Sequence, residues 1–448
     1  MLFKNREQII KNGRTTRLKK IRRDILDILA SAVDAVDSYN VVKSKFNGKS
    51  IVFEGETIDI SDFENIYLVG FGKACIGMAE AVCDSVDIKK GIVITNDPNK
   101  RVQHDHIATF VGGHPIPDQK SIDGTVKILD VIKQCNEKDL LIVLISGGGS
   151  ALLCKPRVNL IELQMTTDLL LKSGANINEI NTIRKHLSFV KGGQLIKSTK
   201  CTVISFIISD IMGDPIGFIA SGPTYPDSTT YADAQDILKK YDLWRKIPSA
   251  VVKIIEDGIQ GRIPETPKKS DPVFDNVFNF IVANNNIACK AAVDKAKELG
   301  YYTILLTTSL AGEAKNIGNY LIDRAKNYYN KDVTKIVFVL GGETTVTVKG
   351  GGIGGRNQEM VLGGIEELDG TDIVFASFAT DGVDGTSDAA GAIADGFTMT
   401  RAHEKNLDPV RFLDENNSYD FFRRVDDLLF TGPTGTNVMD LQIIIKTG

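Results

Sequence analysis

The chain has no run of 18 or more apolar residues, which excludes a membrane-spanning helix, and its start lacks the apolar core of a secretory signal. Cysteine is sparse. The six residues Cys75, Cys83, Cys135, Cys154, Cys201 and Cys289 include no Cys-x-x-Cys pair, so neither a structural zinc site nor a disulfide framework is expected; reduced thiols in a cytoplasmic protein are. Charge of one sign is also lacking: the net charge is −4, and bulk electrostatics exclude a nucleic-acid surface. The basic stretch Lys4–Arg23, nine Lys and Arg against Glu7 alone, reads as a solvated leading helix. Two common nucleotide signatures are missing. Gly72-Lys73 is followed by Ala74 with no glycine five residues earlier, so there is no Walker A loop, and there is no His-Arg-Asp with Asp-Phe-Gly.

What is present fits an ordinary globular chain, 42% hydrophobic and 25% charged. A length of 448 residues exceeds the size at which one core stops growing, so two domains are expected. Apolar runs at 66–70, 91–95, 140–145 and 202–209 alternate with helical stretches at 17–42 and 73–86. That pattern predicts α/β architecture with a mostly parallel, Rossmann-like sheet covered by helices on both faces. The Pro- and Lys-rich segment 262–275 reads as a linker between an N-terminal domain, 1–261, and a smaller C-terminal α/β domain, 276–448. The second series runs through strands at 278–283, 302–306, 335–340, 344–348, 372–377 and 440–446. Its 344–348 member is expected from the alternation of Thr and Val.

The segment Gly341–Glu359 carries the strongest local signal. Glycines from Gly350 to Gly355 open a helix that starts Arg356-Asn357-Gln358-Glu359. Bare N–H groups, a positive helix end and a planar guanidinium together predict an anion site. Gly350, Gly352 and Gly355 also fit Gly-x-Gly-x-x-Gly, which would mean a dinucleotide fold and an NAD(P)H-dependent reductase. A Thr-rich preceding strand and a polar helix start weigh against that.

Ligands in open α/β sheets sit beyond the carboxyl ends of the strands. Those ends carry Lys73, the glycine turn Ser146-Gly147-Gly148-Gly149-Ser150, Asp210 and Asp214, Glu343, and Asp381 with Asp384. Arg184 and Lys191, seven apart, would share one helical face as a second basic wall. Glycines, cations and carboxylates in this combination suit phosphoryl transfer, with Asp210, Asp214, Asp381 and Asp384 as candidate divalent-metal ligands. His104 and His106 read as a surface loop, and His114 either as a structural turn residue or as part of the site.

Taken together the motifs resemble the glycerate kinases of the MOFRL family, the glycerate 2-kinase type. They include Gly72-Lys73-Ala74, Gly113-His114-Pro-Ile-Pro-Asp118, Ser146-Gly-Gly-Gly-Ser150, Asn181-Thr-Ile-Arg184-Lys-His186 and Ser209-Asp210-Ile-Met-Gly-Asp214. Gly341-Gly-Glu343, Gly354-Gly355-Arg356-Asn357-Gln-Glu359, Thr380-Asp381-Gly-Val-Asp384 and Thr431-Gly-Pro-Thr434 continue the series. The resemblance implies ATP-dependent phosphorylation of D-glycerate at its 2-hydroxyl with a divalent metal such as Mg²⁺, in a cleft between a Rossmann-like and a MOFRL domain. It implies that Lys73 and Arg356 are substrate-site residues. On that reading Arg356 forks the glycerate carboxylate, and Asp381, or else Asp210, orients the hydroxyl. Small molecules, not nucleic acid or membrane, are the expected partners; the oligomeric state is left open, a homodimer included. A non-enzymatic binding protein for small carboxylates would need the anion grip but not the carboxylates.

Overall fold

The apolar runs become strands because both of their faces are covered. In the computed structural model, which describes residues 1–53 and 55–447, every residue of Ile66–Phe71 and Leu140–Ile145 is buried. The chain opens with α1 (Arg6–Lys11), α2 (Thr16–Asp34) and α3 (Ser38–Lys43), then a small antiparallel sheet of β1 (Phe46–Asn47), β2 (Ser50–Phe53) and β3 (Glu56–Asp59). The single helix expected over 17–42 is thus two, broken at residues 35–37. The central sheet is built from β4 (Ile66–Phe71), β5 (Lys90–Thr95), β6 (Ile107–Val111), β7 (Leu140–Ile145), β8 (Thr202–Ile208) and β9 (Val277–Ala283). Between them run α4 (Cys75–Cys83), α5 (Gln119–Ile132), α6 (Gly149–Leu152), α7 (Leu160–Lys172), α8 (Ile177–His186), α9 (Tyr231–Lys240) and α10 (Ser249–Ile259). The strand order is β6-β5-β4-β7-β8-β9, and the pairs β4–β5, β5–β6, β4–β7 and β7–β8 are parallel. The chain winds outward from β4 one way and from β7 the other. The topological switch therefore falls between β4 and β7, where such sheets bind ligands.

The second sheet is mixed. It is formed by β10 (Tyr302–Leu310), β11 (Lys335–Gly342), β12 (Ile373–Ala379), β13 (Gly391–Asp395), β14 (Leu428–Leu429) and β15 (Asp440–Thr447), in the order β10-β11-β15-β12-β13-β14. The final strand inserts antiparallel between β11 and β12, which lie apart in sequence. Helices α11 (Asn285–Glu298), α12 (Ala314–Asn327) and α13 (Arg356–Leu368) belong to the same unit. The strand expected at 344–348 does not form. Its only pairing there is one bridge from Thr345 to Glu313, and the Glu313 carboxylate takes the Thr347 N–H at 3.0 Å.

The compact units also divide the chain differently from the expected boundaries. One comprises Met1–Asp37 with Ala283–Gly448, the other Ser38–Val282. The reason is α2. Its face of Leu18, Ile21, Ile25, Ile28, Leu29 and Ala32 is buried, and its Arg22 lies 0% exposed between two carboxylates of the C-terminal half. Arg22 Nε donates to Asp395 Oδ2 at 2.7 Å and one terminal nitrogen to Asp427 Oδ1 at 2.6 Å, while Arg401 pairs with both aspartates. The expected linker 262–275 is docked: Thr266 is buried on Asp227, and Glu265 accepts from the Tyr231 N–H.

Candidate active site

At the switch point the sequence supplies two sharp turns that lock together. Gly72 has φ +138°, and a side chain there would sit 2.1 Å from Ser146 Oγ, so only glycine fits. Ser146 Oγ accepts the Ala74 N–H at 3.1 Å, and the Lys73 N–H donates to the Gly147 carbonyl at 2.9 Å. Lys73 thus lies in the turn just before α4, which starts at Cys75, two residues later than expected. Gly148, at φ +82°, is bordered by the His114 ring and the Lys73 side chain, which a Cβ there would approach to 3.0 and 3.3 Å. Burial and the neighbouring Lys73 charge both hold the His114 pKa below the usual histidine value. His114 is thereby placed in the site.

Beyond Gly148 and Ser150 opens a cavity of about 480 Å³ within the Ser38–Val282 unit. Ile116 and Pro117, Leu163 and Leu171 of α7, and Leu187 give it apolar walls, while Lys155, Arg184 and Lys191 supply positive charge. Ser150 is tied to Ser221 at 3.2 Å, and Ser221 donates to Asn181 at 2.9 Å. Lys191, 5% exposed, donates to the carbonyls of Ser150 at 2.7 Å and Leu153 at 3.1 Å. Its pKa is pushed down to about 8, chiefly by burial and also by the Arg184 charge, which outweigh the opposing pull of Cys154. Arg184 and Lys191 do share a wall, but not a helical face. The α8 helix ends at His186, and Ser188 instead bridges to Pro156. Asp210 and Asp214 follow β8 in a separate half-buried loop, with Asp214 at φ +54°.

In the C-terminal unit the glycine loop and Arg356 do something other than expected. The loop's N–H groups are largely spoken for: Gly350 donates to Asn416 Oδ1 at 2.9 Å, Gly352 to the Glu415 carbonyl at 3.0 Å and Ile353 to Asn417 Oδ1 at 3.3 Å. The anion at the start of α13 is the chain's own Asp384. It accepts the backbone N–H and side-chain amide of Asn357 at 3.1 and 3.2 Å, and both groups of Gln358 at 2.9 Å. Four donors saturate the four lone-pair directions of a carboxylate. Asp384 is therefore a buried cap on the start of α13. Burial pushes its carboxyl up to about 6 against the pull of those donors. Gly355 packs so close to Asp384 that a side chain would lie 2.3 Å from its carboxylate carbon, and Gly354 is similarly blocked by Ser418.

The bidentate edge of Arg356 is likewise filled. Nε and one terminal nitrogen hold Asp440 at 2.5 and 2.9 Å, and the other terminal nitrogen meets Glu343 at 2.7 Å. Burial alone would lower the arginine's pKa, but the Asp440 and Glu343 carboxylates outweigh it and hold it raised. The Arg356 fork thus grips a protein carboxylate, and only its remaining hydrogens are available to a substrate. Asp381 stands near this group: its charge helps to raise Asp440, and its Oδ1 accepts the Val383 N–H at 3.1 Å. Among the described residues no three His, Cys, Asp or Glu side chains converge on a metal position, so the expected set of Asp210, Asp214, Asp381 and Asp384 does not form one.

Two family models match the chain: a domain of unknown function, DUF4147, over residues 24–256, and the MOFRL family over residues 336–440. The chain is 43% identical to the glycerate 2-kinase of Pyrococcus horikoshii, over 95% of this chain and 98% of that protein. It belongs to the glycerate kinase family. A D-glycerate 2-kinase of Thermotoga maritima is 37% identical over 95% of this chain and 98% of its own. A crystal structure of glycerate kinase from that organism superposes with a TM-score of 0.85 at 36% identity, covering 96% of this chain and 100% of the other. A relative from Agrobacterium vitis with a hydroxypyruvate reductase name is 37% identical over a smaller share, 84% of this chain and 86% of that protein.

Within this glycerate kinase fold the structure brings Lys73, Gly148 and His114 together, and Ser150, Arg184 and Lys191 around one cavity. In the other unit it gathers Glu343, Arg356, Asn357, Asp384 and Asp440. Lys155, the apolar face of α7 and the Asp440 partner were not singled out from the sequence. Asp440 carried a signal that was available: an acidic residue opening a mostly apolar strand.

Proposed function

We propose that the chain transfers the γ-phosphoryl group of ATP to the 2-hydroxyl of D-glycerate, releasing ADP and 2-phosphoglycerate. The observation that carries this is the switch point, where Lys73, His114 and the Gly147–Gly149 turn meet beside a cavity lined by the cations Arg184 and Lys191. Phosphoryl transfer needs positioning and charge neutralisation more than covalent chemistry. Full-length similarity to glycerate 2-kinases supports the acceptor.

In the reaction the glycerate oxygen forms a bond to phosphorus as the bond to the ADP oxygen breaks, and the hydroxyl proton leaves to a carboxylate. Asp381 is the first choice to orient that hydroxyl and Asp210 the second. Lys73 stabilises charge on the transferred phosphoryl oxygens. Arg356 contributes through the hydrogens left by Asp440 and Glu343 to the carboxylate of glycerate, so its role is narrower than a bidentate grip. A divalent ion such as Mg²⁺ would neutralise phosphate charge when bound. One carboxylate, Asp381, together with the triphosphate is a donor set that Mg²⁺ accepts, and it needs no all-protein cage.

The reductase alternative loses its motif. The Gly350–Gly355 loop does not leave a strand directly, since β11 ends at Gly342, and its helix N-terminus is occupied by Asp384. The test is an NMR spectrum of the product from glycerate and ATP. A phosphorus–proton coupling at C2 supports the proposal. Coupling at C3, or NAD(P)H oxidation with hydroxypyruvate and no ATP turnover, refutes it.

A further inference from the structure

We propose that the cavity between the His114–Pro117 segment, α7 and the Arg184–Lys191 stretch holds the purine nucleoside of the nucleotide, with the phosphates directed to Gly148 and Ser150. The proposal rests on the kinase reading and assigns one substrate to one unit of the chain.

Size and polarity decide between the two substrates. A volume of about 480 Å³ is that of a site for a drug-sized organic molecule. Glycerate, a three-carbon acid with an oxygen on every carbon, neither fills such a space nor gains from apolar walls. A purine has two apolar faces and polar edges. Leu163, Thr167 and Leu171 lie four residues apart on α7, so they present one ridge to the cavity. Ile116, 63% exposed, and Leu171, 61% exposed, are apolar side chains at the cavity that the fold leaves in water. Apolar surface around a concavity marks a ligand groove more often than a defect.

The polar groups are few and placed, as a nucleoside requires. Gln164 is held in position by donating Nε2 to the Pro117 carbonyl at 2.9 Å, and Thr167 adds a hydroxyl on the same wall. Burial lowers the pKa of both Arg184 and Lys191, and the Arg184 charge lowers that of Lys191 further. The carboxylate of Asp168, which also lines the cavity, is paired with Lys172 at 2.7 Å, so the two desolvated cations form a place for an anion. Lys191 is anchored to the carbonyl of Ser150, and the Ser146–Ser150 turn leads directly to Lys73. A chain of phosphates starting from a base in the cavity would follow this path.

The test uses the full-length protein with Thr167→Trp, which fills the cavity from a half-buried helix position. A second variant, Leu171→Ser, removes an exposed apolar wall and so spares folding. Equilibrium dialysis measures ADP binding without glycerate, and steady-state kinetics measure KM for ATP and for glycerate separately. Both variants should weaken ADP and raise KM for ATP by roughly tenfold to a hundredfold, with KM for glycerate within about twofold. Thr167→Trp or Leu171→Ser that raises KM for glycerate and leaves ADP binding intact assigns the cavity to the acceptor and overturns the proposal. Two variants indistinguishable from wild type overturn it as well. Failure of the kinase reading shows separately, as wild-type protein that turns over no ATP with glycerate, whereas ADP dialysis requires no turnover.

Discussion

Lys191 makes the strongest quantitative prediction. The residue is 5% exposed, and burial brings its pKa down to about 8. Against an ordinary lysine value of 10.5, and at about 1.4 kcal/mol per pH unit, the fold disfavours the charged form by about 3 kcal/mol. The sign follows from proton counting. Below about pH 8 both folded and unfolded chains hold the proton, and the penalty is felt in full. Between about pH 8 and 10.5 the folded chain releases it while the unfolded chain keeps it, so stability rises with pH. Lys191→Met removes the charge and also two hydrogen bonds to carbonyls, worth about 1 kcal/mol each. Urea unfolding of both proteins in steps from pH 7 to 10.5 cancels every titration they share. The stability of Lys191→Met relative to wild type should fall by about 3 kcal/mol across that range. A difference that stays constant refutes the reasoning, because it means that the ammonium is not strained by burial. Saturating ADP should move the window upward, since phosphate charge favours the protonated amine.

Lys73→Ala should lower kcat/KM by roughly 10² to 10³ with Tm unchanged, as expected of a charge that acts on the transition state; wild-type turnover would make Lys73 structural. Arg356→Ala leaves Asp440, 1% exposed, without its guanidinium and should cost about 3–5 kcal/mol, seen by calorimetry as early melting of the C-terminal unit. Asp384→Asn sets an amide against two donors at the start of α13 and should lower Tm by several degrees, with no rescue of rate by excess Mg²⁺. Rescue by Mg²⁺ at unchanged Tm would show that Asp384 is a metal ligand after all.

The elements that the sequence revealed are those whose environment is uniform along their length. Leu140–Ile145 is apolar throughout because both faces are covered, and the glycine turn that follows it fell where a strand end must expose its turn. The misreadings come from partners distant in sequence. Gly350–Gly355 has the local pattern of an anion loop, and the α13 N-terminus does hold an anion, but nothing local says that Asp384 will supply it. Arg356 has the geometry to grip a carboxylate and grips one, Asp440, 84 residues away. The Thr-Val alternation of 344–348 satisfies the rule for a half-buried strand, yet no neighbouring strand is there to pair with it beyond the Thr345 bridge. For Arg184 and Lys191 the spacing of seven was read as helical, whereas a cavity wall made of a helix end and a loop brings them together by another route.

Because α2 is built into the unit that resumes at Ala283, synthesis of this chain leaves a debt open for most of its length. The ribosome releases α2 early, with its apolar face and Arg22 ready, but Asp395, Asp427 and α11 emerge only after the whole intervening unit has been made. At translation rates of about 5–20 residues per second that interval is on the order of tens of seconds. During it the intervening unit can close on itself, since Ser38–Val282 is continuous, while the apolar face of α2 waits for its partners. The same threading means that the C-terminal unit cannot be cut out as one stretch: a fragment beginning at Ala283 lacks the cation that neutralises Asp395 and Asp427 alongside Arg401. A permuted gene that carries the first 37 residues after the C-terminal segment, joined by a linker, would make that unit contiguous in sequence, and its folding would no longer depend on the order in which the chain is made.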